Sequence, residues 1–193
     1  TYRNRKAGQP FFHVQNFGRS HEGQLHFSRE EMQKETMTKV DEVDVFPYHP
    51  NTPTFRYTHA KYRDLQREID TQIGAFIDEL KADGVYDNTI IFYYGDHGGV
   101  LPRGKGYIYE SGVHVPMVVY FPPKWQHLAP AKPGSRLNGF VQFIYLGPTV
   151  LHLAGLPVPK AMDGRPFLGK GITAAKLNRR DQAFSYADRF DEK

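Results

Sequence analysis

Residues 89–116, TIIFYYGDHGGVLPRGKGYIYESGVHVP, constrain this chain more than any other stretch. Residues 89–94 form an apolar run rich in β-branched and aromatic side chains, which suits a buried strand. The run stops at Gly95, and Asp96, His97, Gly98 and Gly99 follow at once. An acid and an imidazole at the carboxyl end of a strand sit where α/β proteins place ligand chemistry. Paired glycines let the backbone turn sharply and come close to a ligand. Lys105 stands between two glycines, Glu110 and His114 follow, and a second buried strand is predicted over 115–121. Aspartate and histidine are metal-ligand types, and Arg103 and Lys105 add two cations that can meet an anion. A bare Asp-His-Gly reads more readily as a turn, with Asp96 capping and His97 exposed. The longer pattern through Lys105, Tyr109, Glu110, Gly112, Val115 and Pro116 is what points to chemistry.

Composition sets the frame for that site. At 193 residues, with 39% hydrophobic and 14% aromatic content, the chain can build one globular domain with a sizeable core. A formal charge of +4 favours an anionic substrate but does not indicate nucleic acid. Lys132, Arg136, Lys176, Arg179 and Arg180 are scattered and read as solvated surface. With no cysteine, the chain itself contains no disulfide, no cysteine-ligated zinc and no cysteine nucleophile. No apolar run approaches transmembrane length. The chain begins at Thr1 without a methionine, and no signal peptide is visible.

Elsewhere the sequence predicts scaffolding. A strand is predicted over 11–17, FFHVQNF; with nothing before it to pair with, it suggests a chain lacking its N-terminal part. His21 follows in a short loop, GRSHE, at the end of that strand, with a plain surface histidine as the lesser alternative. Residues 24–53 read as an irregular excursion. Within it a short helix is predicted near 28–38, with Ser28 and Glu31 spaced as a capping box, and FPYHPNTP (46–53) is extended or turned. Asp41, Glu42 and Asp44 read as a solvated turn. A single helix is predicted over 54–83. Its stripe is Tyr62, Leu65, Ile69, Ile73, Phe76, Ile77 and Leu80, interrupted only by Gln66, and Gly84 is a suitable stop. Trp125 lies in a proline- and lysine-rich connector over 122–136 and reads as a packing residue. The segment 140–154 alternates and then turns helical, Asp163 reads as a turn residue, and a last strand is predicted over 182–187.

The stretch GDHGG…GKGYIYESGVHVP resembles the metal-and-lysine segment of the sulfatase family, within the alkaline-phosphatase-like superfamily. Bacterial sulfatases that include heparan-type enzymes are the nearest match. The resemblance rests on Asp96-His97-Gly98, on Gly104-Lys105-Gly106 and on residues 110–116, and it continues through Pro148-Thr149-Val150-Leu151 and residues 163–168. It implies an α/β fold: a three-layer alkaline-phosphatase-like sandwich with a mostly parallel, mixed central sheet. Residues 1–193 would be the C-terminal portion of the catalytic domain, with a small C-terminal subdomain starting near residue 180.

What the resemblance implies about chemistry is specific. Asp96 would be a calcium ligand, with His97 in the next ligand position or against the sulfate. Lys105 and His21 would be catalytic, binding sulfate or acting on the leaving group. At the residue two beyond His21 the family often has proline, and here Gly23 stands. Calcium prefers oxygen donors, so His97 suits zinc better, which leaves a zinc-dependent phosphodiesterase or phosphatase as the alternative. The family's nucleophile is a formylglycine made within Cys/Ser-x-Pro-x-Arg. This sequence holds no such motif, so the isolated chain is expected to be inactive. A glycan-binding pseudoenzyme is a further alternative. The implied partner is a sulfated carbohydrate or another sulfate ester, with no nucleic acid and no membrane span, and the implied location is periplasmic or secreted.

Overall fold

A computed structural model describes residues 2–186, in two compact units, Thr1–Asp78 and Glu79–Lys193. Helix α1, Pro53–Ala82, matches the predicted helix to within a residue and crosses this division. Thr52 caps its start, accepting from the Phe55 amide at 3.3 Å, and Pro53 takes the first helical position, where its missing N–H costs nothing. Gly84, at φ 67°, ends it: the Gly84 and Val85 amides bond back to the Lys81 and Leu80 carbonyls.

In the first unit the chain before α1 packs along it. Leu65 and Ile69 of the predicted stripe are buried, as are Tyr57 and Ala60. Asp64, also buried, accepts from the Met37 and Thr38 amides at 2.8 and 2.9 Å and from the Thr38 hydroxyl at 2.7 Å. The predicted strand over 11–17 does not form; this stretch is irregular, and Phe12 and Val14 are exposed. Among the described residues no strand lies alongside to receive its backbone groups, and propensity alone does not make a ladder. Tyr2 and Phe76 instead hold the His13 ring. The helix predicted near 28–38 reduces to one 3-10 turn, Glu31–Gln33. Its capping box is present: Ser28 N–H donates to Glu31 at 2.8 Å, and Glu31 N–H donates to Ser28 Oγ at 3.2 Å.

In the second unit, β1 (Ile91–Tyr94) and β2 (Met117–Tyr120) pair antiparallel, Ile91 opposite Tyr120 and Tyr94 opposite Met117. This pair is the only ladder among the described residues, so the mostly parallel part of the expected sheet does not lie within them. Phe92, Met117 and Val119 face a core built on Phe167, Leu168 and Leu177. The strands are not buried on both faces as predicted: Tyr93 is 40% exposed and Val118 60%. Helix α3, Leu146–Leu153, forms where the sequence predicts it. Its Thr149, fully buried, donates to the Tyr145 carbonyl and accepts from the Phe167 amide, tying the 163–168 segment to the helix. Residues 182–186 form no strand; Ala187 and the rest of the expected C-terminal subdomain lie outside the described residues.

Candidate active site

The second unit gathers the 96–114 region by backbone contacts. Antiparallel pairing runs one step past β1, where the Gly95 amide donates to the Pro116 carbonyl at 3.3 Å. Gly98 then donates to Gly112, inside the short helix α2 (Glu110–Val113), at 2.9 Å. The Lys105 amide donates to Gly99 at 2.8 Å, and the Ser111 hydroxyl donates to the Arg103 carbonyl at 2.6 Å. Three glycines make this closeness possible. A Cβ on Gly98 would collide with the Ser111 carbonyl oxygen, one on Gly104 with that of Gly99, and one on Gly112 with that of Tyr107. Arg103 is the one non-glycine residue at positive φ among the described residues, at 67°. Such a conformation costs about 1–3 kcal/mol and persists only where surrounding contacts hold it. Here Ser111 holds its carbonyl, and its guanidinium lies 4.0 Å over the Tyr109 ring.

At the end of β1, Asp96 Oδ1 accepts from the His97 amide at 3.1 Å. His97 Nδ1 lies 2.8 Å from the Gly98 carbonyl oxygen, which can only accept, so Nδ1 carries the hydrogen. In the neutral ring Nε2 therefore presents its lone pair, 3.6 Å from Asp96 Oδ2. The carboxylate is 85% exposed and the imidazole 36%, so both remain reachable. One oxygen and one nitrogen donor at this spacing, with the imidazole fixed through its other nitrogen, match an edge of a metal coordination shell. No set of three or more histidine, aspartate or glutamate residues able to hold an ion occurs among the described residues, so this edge supplies two donors only. An imidazole donor suits zinc better than calcium.

Lys105 is partly buried, and its amide bond to Gly99 anchors it in the same loop as Asp96 and His97. His21 belongs to the first unit. It is exposed, and its Nδ1 accepts from the Gly23 amide at 3.2 Å, which caps the 3-10 turn Glu22–Leu25. The hydrogen of the neutral ring is therefore on Nε2, the tautomer that can donate to an anion. The structure adds a pairing that residue-by-residue reading missed. Glu110 Oε1 and His114 Nδ1 lie 2.6 Å apart, both largely exposed. The signal was present in their four-residue separation, which puts both on one side of a helical turn.

The Sulfatase family model matches residues 1–156. An ulvan-active sulfatase of Formosa agariphila is 36% identical over 186 residues, covering 96% of this chain and 29% of that protein. The human N-sulphoglucosamine sulphohydrolase is 31% identical, covering 64% of this chain and 24% of that protein. The chain thus spans less than a third of the length of either relative. Among solved structures, a phosphonate monoester hydrolase from Silicibacter pomeroyi superposes with a TM-score of 0.53 at 30% identity, covering 73% of this chain and 26% of that one. A second, in complex with its substrate D-glucosamine-2-N,6-O-disulfate, gives 0.51 at 25% identity, covering 68% and 26%. The fold is accordingly α/β and alkaline-phosphatase-like, represented here by part of the domain. With the match covering the glycine-pinned loop of Asp96, His97 and Lys105, this chain belongs to the Sulfatase family.

Proposed function

We propose that this chain takes part in hydrolysing sulfate esters of a carbohydrate, as the C-terminal portion of a longer catalytic domain in a periplasmic or secreted enzyme. The observation that carries the reading is the donor edge of Asp96 Oδ2 and His97 Nε2, held in one loop with Lys105. The ulvan and glucosamine chemistries named for two similar proteins support a sulfated sugar as substrate. Asp96 and His97 would hold a divalent cation, calcium by family resemblance and zinc by the imidazole donor. A bound dication polarises the sulfate oxygens and lowers the pKa of an attacking hydroxyl. The Lys105 ammonium would neutralise charge on the non-bridging oxygens, and His21 is assigned by family resemblance alone to bind sulfate or protonate the leaving alcohol. No Cys/Ser-x-Pro-x-Arg motif occurs here, so these 193 residues alone are proposed to be inactive.

A second reading, hydrolysis of phosphonate or phosphate diesters, is favoured by the similarity to the phosphonate monoester hydrolase and by the imidazole donor. One experiment separates the two. The full-length protein is assayed on an aryl sulfate and on an aryl phosphonate or phosphate diester, with its metal content determined. Sulfate turnover, abolished by Lys105→Ala, is the expected result. Turnover of the phosphorus ester without sulfate turnover would transfer the assignment to the second reading.

A further inference from the structure

In the first unit two imidazoles are buried against each other. His49 Nδ1 and His59 Nε2 lie 3.0 Å apart, and the two residues are 7% and 4% exposed. His59 sits in the early turns of α1; His49 belongs to the proline-rich segment just before it. Phe46 packs on both rings, at 5.5 Å from His49 and 5.1 Å from His59, and Tyr48 and Phe55 close on His49 at 4.8 and 5.2 Å. A nitrogen–nitrogen contact of this length holds one shared hydrogen. A first added proton places a cation among these aromatic rings, and a second leaves two N–H groups facing each other. The charged and titratable groups that bear on the pair among the described residues include Arg63, from α1, and the Tyr48 phenol, from the segment.

We propose that the His49–His59 contact is a pH-sensitive latch, which clamps residues 46–52 to α1 while both rings are neutral and releases them on protonation. The clamped segment is a tight turn. The His49 amide donates to Phe46 at 2.8 Å, the Thr52 amide to Pro50 at 2.9 Å, and Thr52 caps the helix. Burial, then His49, then the Arg63 charge push the His59 imidazole below its ordinary range. The closed state therefore binds protons less readily than the open one. The clamp holds above the ordinary histidine range, about pH 6.5, and weakens as pH falls through it. The opening constant rises by up to about tenfold per pH unit for each proton taken up.

The test is hydrogen exchange on this chain, with protection factors of the His49 and Thr52 amides measured from pH 7.5 to 5 and corrected for intrinsic exchange. Protection is expected to fall by about tenfold or more, while the Met37 and Thr38 amides, held by Asp64, keep theirs. The double variant His49→Asn/His59→Gln keeps an amide pair at the two nitrogen positions and removes both imidazoles; its protection is expected to stay flat. Flat protection in the parent, or an equal fall in the variant, overturns the latch. Should the variant not fold, the parent's own imidazole titration by NMR decides. A His59 midpoint well below 6.5 supports the latch, and one at or above about 6.5 refutes it.

Discussion

Gly98→Ala places a methyl group where the backbone of α2 already stands. The new carbon would meet the Ser111 carbonyl oxygen, lie 2.6 Å from Gly112 Cα and lie 2.8 Å from the Ser111 carbonyl carbon. No flexible side chain is there to turn aside, so α2 must retreat by roughly 1 Å to restore ordinary contact, a form of overpacking that costs about 1–3 kcal/mol. The retreat also stretches the 2.9 Å bond from the Gly98 amide to Gly112, worth about 1 kcal/mol. The sum is about 2–4 kcal/mol, which at a urea slope near 2 kcal/mol per molar lowers the unfolding midpoint by about 1–2 M. Trp125 is the only tryptophan and lies in the same unit, so its fluorescence follows the transition. Gly147→Ala is the control: it lies in α3, with only the flexible end of Met162 within reach, at 3.8 Å, and is expected to lose nothing. A Gly98→Ala midpoint matching the parent would refute the claim that this loop is held by backbone-to-backbone packing.

Three further outcomes follow from the same geometry. Gly74→Ala, in the interior of α1 with open space around the new carbon, should stabilise the helix by about 0.5–1 kcal/mol, read as a higher urea midpoint by circular dichroism. Asp64→Ala removes the acceptor for the Met37 and Thr38 amides. It should cost about 2–4 kcal/mol by the same measurement, because two backbone donors lose their partner. The Tyr120 phenol, bonded to Tyr86 and partly buried, is pushed up to about 12. The neutral phenol is the folded form, so its contribution is complete below pH 10 and fades as pH rises towards 12. Phenolate absorbance at 295 nm should show a component near pH 12 that Tyr120→Phe removes.

Residues 89–116 pointed to the candidate site because its residues are neighbours in sequence. An acid, an imidazole, a lysine and the glycines that free the backbone all stand within one short stretch, and local spacing survives in sequence. Helix α1 was readable for a similar reason, since its apolar stripe and its Gly84 stop belong to a single element. The strand predicted over 11–17 was not readable, because a ladder needs a partner that composition does not name. Nor does sequence say that Asp64 binds the amides of residues 37 and 38, or that His49 and His59 share a hydrogen. The chain's own letters therefore determined the family, the long helix and the glycine-pinned loop of Asp96, His97 and Lys105. Tertiary structure decided the buried pairs and the exposed sheet face, since each depends on groups brought together by packing.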